Sequence, residues 1–132
     1  MMDLDELGPR LERAADRVGP EVNRTVQQQR RLLLAMIKFN ASGRPGPNII
    51  TGGYFDSWEG LPFAVPDGGG ADVHTDRPQG RRLEYGFMER YDSLGRFYRQ
   101  PPFPHVEPAV TDLEDGYVEA FKAACDRIFG GA

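Results

Sequence analysis

One apolar stripe runs through the first third of the chain. Leu4, Leu7, Leu11, Ala14, Val18, Val22, Val26, Leu33 and Met36 recur at spacings of three, four or seven, which lines them up along one side of a helix rather than on alternate faces of a strand. The pattern predicts an amphipathic helix over residues 4–39. Gly19-Pro20 falls inside it, and proline lacks the amide for the helical ladder and crowds the preceding turn, though it is tolerated as the first residue of a new helix. Two helices, or one kinked helix with its stripe in phase across the break, are therefore expected. Arg10, Arg17, Arg24 and Arg31 sit seven apart beside the stripe and read as a solvated ridge.

What remains after that helix has room for one modest core, since 132 residues fit a single domain. Gly and Pro number 16 and 11, and they concentrate at Gly43 to Pro47, Pro66 to Gly70 and Gln100 to Pro104. Such clusters punctuate a chain with turns. Leu61, Phe63 and Val65 alternate, as do Ala71, Val73 and Thr75, and the Asp67-Gly68-Gly69-Gly70 run between them suits a hairpin turn. A short β-hairpin over 61–75 follows, with Pro62 marking its first run as an edge strand, then a brief helical or extended segment over 79–91.

Thr111-Asp112-Leu113-Glu114 has the form of a capping box, and Leu113, Tyr117, Phe121, Ala124 and Ile128 keep helical spacing up to Gly130-Gly131. A last helix is expected over 111–129, starting at about Asp112 and packing against the first. The fold class is α+β: an N-terminal and a C-terminal helix packed on a small antiparallel hairpin, with long Gly/Pro-rich loops. Residues 1–132 read as one domain, helical over 4–39, loop and hairpin over 43–106, helical again at the end.

Chemistry has little foothold in this pattern. Cys125, the single cysteine, has no internal disulfide partner and reads as a small core hydrophobe. No secretory signal is visible, and the longest apolar run, Leu32 to Ile37, is far too short to span a bilayer. A net charge of −4 argues against a dedicated nucleic-acid binder. Residues 81–100 are nevertheless locally basic, while 107–132 are acidic.

His74 with Asp76 and His105 with Glu107 could each pair an imidazole with a carboxylate, but a zinc site needs three or four ligands and no third is placed. Both histidines read as ordinary surface or turn residues. Ser42, Ser57 and Ser93 lack a nucleophile elbow. Gly43-Arg44-Pro45-Gly46-Pro47 is a stiff turn rather than a phosphate loop, because its prolines remove the donors such a loop uses. Tyr54, Phe55 and Trp58 read as fixing a loop on the core, with Trp58 also a candidate interface anchor.

The order of these motifs carries a resemblance. An N-terminal helix is followed by Gly43-Arg44-Pro45-Gly46-Pro47, then Thr51-Gly52 with Tyr54 and Ser57-Trp58, a hairpin, Arg82-Leu83-Glu84-Tyr85-Gly86-Phe87, the Pro104-His105-Val106-Glu107-Pro108-Ala109 segment and a final helix. Over roughly residues 40–129 this resembles the neck and tail-completion family of long-tailed bacteriophages. The stretch from Trp58 to Arg81 departs from that pattern, being short and Gly-rich.

The resemblance implies a structural virion protein without enzymatic activity or cofactor. It would form a ring in the neck, at the head-to-tail junction, after assembly in the host cytoplasm. Its implied partners are copies of itself, a head-closure or connector protein, and a tail-terminator or tail-tube protein. No membrane or sequence-specific nucleic acid is implied, although packaged DNA could pass through the ring. A tail-terminator or minor tail subunit is the alternative within that setting. A small metal-dependent hydrolase using His74, Asp76, His105 and Glu107, and a DNA-contacting protein, are the alternatives outside it.

Rings arise from unlike patches meeting on neighbouring copies. The expected subunit-interface residues are Arg44, Thr51, Trp58, Arg81, Arg82, Arg90, Arg96, Arg99, Phe103 and His105. Arg81, Arg82, Arg90, Arg96 and Arg99 are expected to face acidic groups on an adjacent subunit or ring.

Overall fold

The computed structural model describes residues 3–48, 52–91, 94–95 and 97–130, with the backbone alone over 87–91 and 97–99. Thr51 and Arg96 lie outside these residues. The order is α1 (Leu4–Ala41), α2 (Gly53–Asp56), β1 (Glu59–Val65), β2 (Gly68–His74), α3 (Gln79–Tyr85), β3 (Phe87–Tyr91), β4 (Phe97–Gln100) and α4 (Glu107–Gly130). The α+β class stands, with two long helices and two-stranded antiparallel sheets. Among the described residues no helix is long and apolar enough to cross a membrane.

Helix α1 is the spine. It runs through both Pro9 and Pro20 as one helix, so Gly19-Pro20 does not divide it. Packing of α1 on both flanks supports the helix beyond Pro20, whereas Pro9 lies in its exposed N-terminal end. At 100° per residue, Ala14, Glu21 and Thr25 lie on one side of α1, while Gly19, Asn23 and Arg30 lie on the other. The first side meets α4, where Arg127 pairs with Glu21 (Nε to Oε2, 2.6 Å) and donates to the Thr25 hydroxyl. Arg17 reaches the Ile128 carbonyl at 3.3 Å, so this arginine of the ridge ties α4 down rather than facing water alone.

Helix α4 is antiparallel to α1, since Asn40 at the far end of α1 donates to the carbonyl of His105, just ahead of α4. Small side chains line the contact: Ala14, Thr25, Ala41, Ala109 and Ala124 are all buried. Because the C-terminal end of α4 lies level with Arg17, residues 4–13 extend past it and every one is exposed. The N-terminal end of the stripe is therefore bare, with Leu4 at 83 % and Leu11 at 55 % exposure.

The β1–β2 hairpin covers the second side of α1. Its turn is only Pro66-Asp67, with Asp67 in the left-handed region (φ 55°). Gly68, Gly69 and Gly70 are strand residues, which corrects the expectation that they form the turn. The register pairs Gly60 with Val73, Pro62 with Ala71 and Ala64 with Gly69, and cross-strand partners share a face. This face of small residues lies against α1, where a Cβ on Gly69 would run into Asn23 and one on Gly60 would meet Arg30 Cγ at 3.1 Å. Gln27 donates to the Gly70 carbonyl (2.9 Å) and Arg30 to that of Gly60 (3.1 Å).

The larger side chains consequently point outward. Leu61, Phe63 and Val65 share the opposite face, with Phe63 over Gly70, and remain 40 to 49 % exposed.

The core sits at the other end of α1, where Ile37, Trp58 and Ala109 pack with Leu33, Leu34, Met36, Tyr54, Val73 and Val106. The segment over 79–91 resolves into α3 and then β3, which forms a second hairpin with β4.

Candidate functional site

Three short elements converge above this core and place one buried polar cluster. Tyr54 and Trp58 come from α2 and its end, Glu84 from α3, and His105 from the extended segment before α4. Glu84 is the hub. Its Oε2 accepts from the backbone amides of His105 (2.8 Å) and Val106 (3.0 Å), and its Oε1 accepts from that of Glu107 (2.9 Å).

These amides lie at the start of α4, so a carboxylate distant in sequence caps that helix, satisfying amides that have no partner within it and favouring its positive end. The capping box at Thr111 is thereby corrected: α4 begins at Glu107 and Thr111 lies inside it. Glu107-Pro108 was the usable start signal, since proline is tolerated in a helix's first turn.

His105 is fully buried, at 0 % exposure, which overturns its reading as a surface or turn histidine. Nδ1 faces two acceptors, the Phe103 carbonyl at 2.9 Å and Glu84 Oε2 at 3.0 Å, so this nitrogen carries a proton. In the neutral ring Nε2 then accepts from the Tyr54 hydroxyl, 2.6 Å away. Tyr54, Trp58 and His105 meet edge to face, with ring centroids 5.6 to 6.2 Å apart.

Burial pushes the Glu84 carboxyl upward, yet the amides of Glu107, His105 and Val106 and the neighbouring imidazole outweigh it and hold the group below its ordinary value. Burial also raises the Tyr54 hydroxyl above 10.0; the Trp58 indole opposes that and the Glu84 charge adds to it. The Trp58 N–H itself makes no hydrogen bond of acceptable geometry among the described residues.

A Tyr–His–Glu chain of this kind can pass a proton along its length. Here the imidazole is sealed from solvent and both carboxylate oxygens are engaged by amides, so its evident work is to lock α2, α3 and α4 together. Among the described residues no three His, Cys, Asp or Glu side chains gather as a metal site. His74 and Asp76 make a loose pair at 4.0 Å, with Asp76 almost fully exposed.

The other expected interface residues scatter. Trp58, 7 % exposed, anchors its loop in the core and also lines the cleft between β2 and α3. Arg44 folds over the Phe103 ring, 4.2 Å from its centroid, and donates to the Gly46 carbonyl at 2.9 Å while remaining exposed. Gly46 is buried where any Cβ would collide with the Asn40 carbonyl, which is how the turn seats against the end of α1. Arg81 and Arg82 are exposed on α3. Arg90 and Arg99 lie in β3 and β4. Cys125 is exposed rather than in the core, because α4 turns Ala124 and Ile128 toward α1 instead.

Beside the cluster a cleft of about 460 Å³ opens between the end of β2 and α3, bordered by Val73, His74, Arg77, Arg81, Tyr85 and Val106. Comparison of the chain with protein-family models, curated proteins and solved structures gives no match in any of the three.

Proposed function

We propose that this chain is a structural subunit that works only in an assembly with other polypeptides. One observation carries the reading: large apolar side chains stand bare on two separate elements, Leu4, Leu7 and Leu11 on α1 and Leu61, Phe63 and Val65 on β1. Apolar residues in contiguous exposed rows mark surfaces that a partner covers. Together with the resemblance to phage neck and tail-completion proteins, this supports a ring at the head-to-tail junction that helps complete the tail and join it to the head. Its neighbours there would be a head-closure or connector protein on one side and a tail-terminator or tail-tube protein on the other.

Size measurement by light scattering over a range of concentrations, followed by electron microscopy of the purified chain, tests this. Ring-shaped multimers are expected. A chain that remains monomeric throughout and adds to neither heads nor tails would end the proposal.

A further inference from the structure

We infer that copies of this chain join head to tail, the outer face of the β1–β2 hairpin of one copy seating in the arginine-bordered cleft between β2 and α3 of the next. The inference rests on the self-assembling reading above and names the two surfaces involved.

The hairpin presents an apolar row inside an acidic frame. From Arg44 to Arg77 the chain has no intervening Lys or Arg, yet it carries Asp56, Glu59, Asp67, Asp72 and Asp76. Leu61, Phe63 and Val65 run between Glu59 and Asp67, and Asp72 is the cross-strand neighbour of Leu61. Among the described residues none of Glu59, Asp67 and Asp72 has an ion-pair partner. The hairpin's other face meets α1 through Gly60 and Gly69, while Leu61, Phe63 and Val65 stand on the face turned away from that helix.

The cleft has the opposite character. Arg77 and Arg81 border it without ion-pair partners among the described residues, and Val73, Pro78, Tyr85 and Val106 give it apolar walls. Glu84 also lines it, but both its oxygens are held by backbone amides. Its volume falls within the range of binding pockets.

Like faces cannot pair here, because two hairpins face to face would bring acid against acid. Each copy carries one face of each kind, and a contact that uses one of them from each copy leaves the others free, so head-to-tail joining is heterologous and adds subunits until a rotation closes it. Apolar burial supplies most of the affinity, while the charges fix orientation, since exposed ion pairs contribute little by themselves.

Two double variants test this, Arg77→Ala with Arg81→Ala in the cleft and Leu61→Ser with Phe63→Ser on the hairpin. Circular dichroism and melting establish that each still folds. By mass photometry each variant alone should self-associate more weakly than the unmodified chain, the serine variant roughly tenfold or more and the arginine variant by about severalfold. An equimolar mixture should form one-to-one pairs and nothing larger, because only one intact hairpin and one intact cleft remain per pair. Should the serine variant unfold, Glu59→Lys with Asp72→Lys takes its place with the same expectation.

Variants that assemble like the unmodified chain, or a mixture that forms no pairs, overturn this docking while leaving the subunit reading intact. An unmodified chain that never assembles removes both.

Discussion

Glu84 holds the start of α4 through three backbone amides and the imidazole of His105, with only 7 % of its surface exposed. Replacing one member of such a buried set strands the others, so Glu84→Gln should cost on the order of 3 kcal/mol, read by chemical denaturation. Its pH signature follows from the lowered carboxyl. The contribution is complete above the ordinary value of 4.5 and fades as pH falls through the depressed folded value. The variant should therefore lose part of the acid-induced drop in stability. Glu21, lowered by its hydrogen bond to Arg127, retains its own share. None of this was legible residue by residue, because Glu84, Tyr54 and His105 come from three segments that only tertiary packing brings together. His74 ends β2 and lies 4.0 Å from Asp76, a proximity between residues two apart that local spacing does show.

At the scale of elements, long periodic patterns were readable and boundaries set by other elements were not. The stripe from Leu4 to Met36 and the spacing from Leu113 to Ile128 both mark true helices, since each has a side that must find cover. The start of α4, at Glu107 rather than about Asp112, was misplaced by five residues because the cap it uses is supplied by α3. The hairpin glycines were misassigned to the turn because their role depends on how closely β2 lies on α1, a distance that no local pattern encodes. The overhanging end of α1 is the least supported element, as a short helix without tertiary contacts is marginal in water. Removing residues 3–13 should leave the melting temperature of the remainder nearly unchanged, while hydrogen exchange in the full chain should find amides 4–13 opening fastest.

For the whole molecule, charge and apolar surface are distributed so that the two ends of the β2–α3 region differ. If assembly combines apolar burial with arginine–carboxylate pairing, raising salt from 0.05 to 0.5 M, both on the order of common buffers, should slow association more than it weakens the finished multimer, because screening acts over about a Debye length. Stopped-flow light scattering reads this, and an unchanged rate would remove the electrostatic part of the docking.

The cap on α4 also bears on how the chain is made. Synthesis proceeds from the N-terminus, so the carboxylate that anchors the last helix leaves the ribosome ahead of the amides it will hold. The final helix thus completes the mooring, and a chain truncated before His105 would leave that carboxylate without the amides it holds.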